Sequence, residues 1–164
     1  MNMRNFLSIL LLALIGTVCT QVAANGPPHT AASGVFTQTG INILDIQFAG
    51  PNTILEQTSE GAIMGTLTGS YEDAIRLVIH PNGSFNARFT VVCDCIVEGK
   101  QGYLYLVATD RGQMVSDTQA IFSGRAVITG GTGELAGLRG VLQIEGTVDL
   151  VTGLSEYDYV GWIH

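Results

Sequence analysis

The sequence predicts an all-β protein of one domain, a sandwich or a barrel, and three observations carry that reading. Short β-like runs recur at 34–39, 41–48, 53–58, 62–68, 74–80, 84–97, 102–109, 119–129, 141–150 and 157–163. Turn residues separate many of them: Gly50-Pro51-Asn52, Pro81-Asn82-Gly83, Glu98-Gly99-Lys100 and Asp110-Arg111-Gly112. Finally, no 3.6-residue apolar periodicity lasts long enough for a substantial helix, and many short strands at such spacing belong to sandwiches and barrels. The chain carries 21 glycines, scattered rather than clustered, which suits turns and bulges.

The N-terminus reads as an export signal. Arg4 precedes the apolar stretch 6–15, and Val22-Ala23-Ala24 supplies small residues for cleavage after Ala24. The apolar stretch is shorter than the roughly 20 residues a membrane-spanning helix needs. The expected mature protein is therefore secreted or periplasmic, with no membrane anchor. Residues 25–33 read as a flexible lead-in, and 34–164 as the folded domain.

Charge narrows the partners. The full chain has 7 basic and 14 acidic side chains, a net charge of −7, and one of the basic groups is Arg4 in the leader. Nucleic acid and anionic membranes attract clustered Lys and Arg, so neither is expected as a partner. His29, His80 and His164 and the cysteines show no zinc spacing, so no metal is expected.

One hairpin can be read in register. A two-residue Asn82-Gly83 loop would set each apolar residue of one strand against a polar one. A three-residue Pro81-Asn82-Gly83 loop, with Gly83 left-handed, instead pairs Ile79 with Phe85, Leu77 with Ala87 and Ile75 with Phe89. A one-residue slip reverses every face, so the three-residue loop is expected. Ile75, Leu77, Ile79, Phe85, Ala87, Phe89 and Val91 then point inward, and Arg76, His80, Asn86 and Arg88 outward. The same turn accounts for the glycosylation-like Asn82-Gly83-Ser84.

That parity places Cys93 and Cys95 inside. Side chains two apart on a straight strand stand too far apart for a disulfide, so buried free thiols are favoured. A bulge at Asp94 would permit a bonded pair. Of the strand carboxylates, Asp45, Glu56 and Glu145 are expected to face solvent. Tyr103 and Tyr105 share one face, either a pocket or the outer surface.

The most distinctive segment is Gly130-Gly131-Thr132-Gly133-Glu134-Leu135-Ala136-Gly137-Leu138-Arg139-Gly140. A nucleotide loop needs a parallel strand feeding a helix, whereas here no βαβ unit surrounds the glycines and Gly137 and Gly140 would interrupt a helix. The pattern Gly-Gly-Thr-Gly-x-Leu-x-Gly-x-x-Gly between two strands instead resembles the signature of the allene oxide cyclase-like and dirigent-like barrel superfamily. Within that group it is most similar to exported bacterial families of unknown function. The resemblance implies a small antiparallel closed barrel of about eight strands, often a homo-oligomer, with an apolar lumen plugged at one end by Leu135 and Leu138. No catalytic residue carries over, because no other position matches a family motif.

Two functions follow. In the first, the lumen binds a small apolar molecule through Ile75, Leu77, Phe85, Phe89, Val91 and Cys93 and steers a cyclisation or isomerisation without a cofactor. In the second, the lumen is filled and the protein is a binding or structural module acting through its surface. Whether a cavity exists, and whether ionisable groups line it, separates the two.

Overall fold

The computed structural model describes residues 29–164. The proposed signal peptide and the start of the lead-in lie outside the described residues. Eight antiparallel strands form a closed ring in chain order. They are β1 (Thr30–Ala49), β2 (Asn52–Gly65), β3 (Leu67–Ile79), β4 (Ser84–Val97), β5 (Lys100–Met114), β6 (Gln119–Gly131), β7 (Gly140–Asp149) and β8 (Ser155–Ile163). Each pairs with the next, and β8 returns to β1 from Thr30↔Ile163 to Thr37↔Glu156. Eight strands make a ring whose interior side chains can fill, or can leave open for one small ligand.

The 80–84 hairpin adopts the register expected from its turn. Ile79, Leu77 and Ile75 pair with Phe85, Ala87 and Phe89. The Gly83 N–H donates to the His80 carbonyl at 3.0 Å, and Gly83 has φ +77°. Arg76, Asn86 and Arg88 point to solvent, while His80 is half-buried between Asn52 and Asn86, one ring nitrogen 3.0 Å from each side chain.

Elsewhere the sequence reading needs correction. The runs 34–39 and 41–48 are one strand, which crosses Thr39 through a bulge rather than a turn. Thr30 to Ser33, assigned to the lead-in, already belong to β1, where Ala32 packs into the core. The run 62–68 straddles the corner between β2 and β3, made by Gly65 at φ +126°. Asp110-Arg111-Gly112 is no turn but part of β5, paired with β4 and β6. Gly112 is there because the ring of Phe85 occupies the space a Cβ would need. The chain reverses after it instead, at 115–118, where the Val115 and Ser116 N–H groups donate to the Gln119 carbonyl.

The cysteines are also corrected. Cys93 and Cys95 form a disulfide, with Cα atoms 5.3 Å apart, within the range bridged cysteines occupy. The straight-strand argument fails because β4 contracts locally. Gly69, opposite Cys95, has no side chain, so the Asp94 carbonyl sits where its Cβ would be. No register shift marks the place.

The barrel is filled at one end only. Leu67, Leu104, Leu106, Ile128, Leu142, Tyr159 and the disulfide pack the end near the glycine segment. Leu135, 2% exposed on a 3-10 turn, closes that end with the half-buried Leu138 against it, as the sequence led us to expect. Glycines at 133 and 137 take φ +57° and +87°, which lets the segment fold back over the ring. Tyr159 ties this end together: its hydroxyl accepts the Leu67 N–H at 2.9 Å from across the barrel.

Candidate functional site

At the opposite end the lumen is an open cup of about 230 Å³. Inward positions of β2 to β4 supply Leu55, Ile75, Leu77, Ile79, Phe85 and Phe89, and β6 adds Ala120 and Phe122. The rim is uneven. Pairing of β1 with β8 stops at Thr37, so beyond Gln38 the β1 strand pairs with β2 alone. Ile43, Ile46 and Phe48 on that stretch are exposed apolar side chains beside the mouth.

Of the predicted ligand-binding residues, the structure brings Ile75, Leu77, Phe85 and Phe89 together on the cup wall. Val91 lies deeper, on a void of about 20 Å³ shared with Phe89, Leu106 and Tyr157. Cys93 does not reach the cup. It is fully buried in the packed end, bonded to Cys95. Asp45, Glu56 and Glu145 face solvent as expected, and Tyr103 and Tyr105 stand on the outer surface.

The polar part of the cup consists of residues the sequence reading did not pick out. Gln38, Gln57, Ser59, Asp73, Asp110, Ser155 and Tyr157 line it among the apolar groups. Gln38 Oε1 accepts the Ser155 N–H and hydroxyl at 2.9 and 2.8 Å, which fixes β1 to the start of β8. Ser59 donates to Asp73 Oδ1 through its hydroxyl at 2.6 Å and its N–H at 3.1 Å. Tyr157 stacks on Phe36 with ring centroids 4.8 Å apart and meets Phe122 edge-on at 5.6 Å.

Both acids are held close to neutrality. Burial pushes the Asp73 carboxyl up to about 6, against the pull of the two Ser59 hydrogen bonds. Asp110 is pushed up to about 7 by burial alone. Burial likewise raises Tyr157, and the nearby Tyr71, Asp73 and Asp110 raise it further. Tyr71 is raised by burial and by the charge of Asp73. Among the described residues no Lys, Arg or His lines the cup, so none of them offers either carboxylate a cation there.

A carboxyl that titrates near neutral pH can both take and return a proton, the property a general acid–base group needs. Buried among apolar and aromatic walls, such groups mark a functional site more strongly than exposed ones do. The signal that could have found them is parity. Asp73 lies in step with Tyr71 and Ile75, and Asp110 with Leu106 and Ala108, all inward on β3 and β5.

No protein-family model, curated protein or solved structure matches the chain.

Proposed function

We propose that the protein binds a small apolar molecule in the open half of its barrel and guides its cyclisation or isomerisation without a cofactor. The observation that carries this is the cup itself, apolar on its walls and furnished inside with the Ser59-held carboxyl of Asp73. Confinement supplies orientation, and Asp73 takes a proton from one atom of the substrate and returns it to another. The atoms balance, so nothing else is consumed. The glycine segment's resemblance to the allene oxide cyclase-like barrels supports the same reading, by analogy of fold alone.

Thermal melts with a panel of lipids, terpenes and polyketide-like compounds test the binding step, because a ligand that binds only the folded state raises the melting point. At least one class should raise it, and Phe89→Ala should weaken that response. If no compound shifts the melt, the binding reading falls.

A surface-acting module is then the alternative. The outer face of β4 and β5 favours it, since Val92, Ile96, Tyr103 and Tyr105 are exposed there and Val92 pairs directly with Tyr105. Such a patch suits a second copy of the chain or another protein.

We also propose that the protein works outside the cytoplasm, from Arg4, the apolar stretch and Val22-Ala23-Ala24. N-terminal sequencing of exported material should begin near Asn25, and an intact Met1 end would refute export.

A further inference from the structure

We propose that the ligand of the cup carries a cationic nitrogen at its polar end, and that Asp110 is the residue that receives it. This rests on the cup being a ligand site and assigns its substrate class: an amphiphile with an apolar body and an ammonium head.

Four observations converge on Asp110. It is only 4% exposed, and its enclosed Oδ1 has no hydrogen-bond partner among the described residues. A buried acceptor without a partner is costly, and native structures rarely keep one without a reason. Its side chain points into the lumen, folded over Gly124, where the Oδ1 occupies the space a Cβ would take. Its neighbours in register are Ala87 on β4 and Gly124 on β6, both small: the Oδ1 fills the space over Gly124, and on the other side Ala87 and Asp110 line the cup together.

The surroundings select the sign of the missing partner. Among the described residues the cup is lined by two carboxyls and no cationic side chain, so an anionic ligand would be repelled and a cationic one would find its counter-charge. Phe85, Phe89, Phe122 and Tyr157 line the same space, and aromatic faces attract ammonium groups, methylated ones included. Asp73 is already engaged by Ser59, whereas Asp110 is not. The two acids thus divide the work, Asp110 holding the head and Asp73 moving the proton.

The arrangement makes binding pH-dependent. The titratable groups that share the cup with Asp110 are Asp73 from β3 and Tyr157 from β8, with Tyr71 of β3 next to Tyr157 and Asp73. The inward positions of β4, β6 and β7 beside it (Ala87, Phe89, Phe122, Gly124, Ile144) carry none. Arg88, Arg111 and Arg125 stand exposed on the outer faces of β4, β5 and β6. A carboxyl raised to about 7 is mostly neutral at acid pH, so the receiving charge appears as pH rises through that value.

Octyltrimethylammonium, 1-octanol and octanoate offer one apolar body with three heads, and the quaternary head keeps its charge at every pH. Titration calorimetry with the mature protein at about pH 5 and about pH 8 reads the difference. The quaternary compound should bind about tenfold or more tightly at the higher pH, because only the ionised fraction of Asp110 is competent. Octanol should bind with little pH dependence, and octanoate most weakly. Asp110→Asn should abolish the preference for the quaternary head while keeping octanol binding, which also shows that the variant is folded. Should that variant not fold, Asp110→Ser serves the same purpose. Equal affinity for all three heads, or a preference that survives in the variant, overturns the inference and leaves the cup as a binding site. If none of the three binds, the inference falls together with the reading it rests on.

Discussion

Raising the pH from about 4 to about 8 should destabilise the folded protein by several kcal/mol, with Asp110 carrying the larger part. In the unfolded chain an aspartate has its ordinary value of 3.8, whereas in the barrel Asp110 titrates at about 7 and Asp73 at about 6. Between these values the native state binds more protons than the unfolded one, so its stability falls as pH rises. The contribution is fully present below the unfolded value and is gone above the folded one. At roughly 1.4 kcal/mol per unit, Asp110 accounts for about 4 kcal/mol and Asp73 for about 3. Surface carboxylates add their own slopes, so the decisive measurement is a difference. Urea denaturation of the wild type and of Asp110→Asn across this range should give curves that converge or cross towards high pH, with the variant relatively more stable there. Parallel curves would show that Asp110 is not titrating from a buried site.

The second large effect is expected at the packed end. Tyr159→Ala should cost about 3–5 kcal/mol, the range for emptying a buried aromatic site, and orphaning the Leu67 N–H adds about 1–3 kcal/mol. The ring is 1% exposed and packs edge-on against Phe36 at 5.5 Å, in the part of the barrel that has no room to spare. Tyr159→Phe separates the two contributions, since it keeps the ring and removes only the hydroxyl that Leu67 donates to. Its cost should fall near the smaller figure. If Tyr159→Ala melts within a degree or two of wild type, the filled end is not what stabilises the barrel.

The contrast between the ends shows what the sequence made legible. Where a turn residue and an alternating pattern acted together, as at Pro81-Asn82-Gly83, register and facing could be deduced residue by residue. Leu135 could be placed through the resemblance of its glycine segment, which implies a plug at one end of a barrel. Asp73 and Asp110 were hidden by their own chemistry. An aspartate beside a glycine, as in Asp110-Arg111-Gly112, has the composition of a turn, and burial of an acid is rare enough that composition prevails. Both acids lie on strands whose neighbours two residues away are apolar, and that parity, followed through the supposed turn, leads inside. The Cys93–Cys95 bond was hidden for another reason. It depends on the partner strand, where Gly69 lets β4 contract, and no pattern within β4 reports that.

The closure of the ring also governs the order in which the molecule can form. Seven of the eight seams join strands adjacent in the chain, and only β1–β8 joins distant ones, pairing Thr30 with Ile163. Local hairpins form quickly, whereas a contact across nearly the whole chain bears the largest loop-closure entropy. A meander of hairpins can therefore assemble from the N-terminus onward while the outer edge of β1 waits. During that interval the chain is an open sheet with an apolar face, the state in which strand edges pair with the wrong partner. The last strand delivered is thus the one that ends this vulnerability, and β8 acts as the latch of the folding reaction.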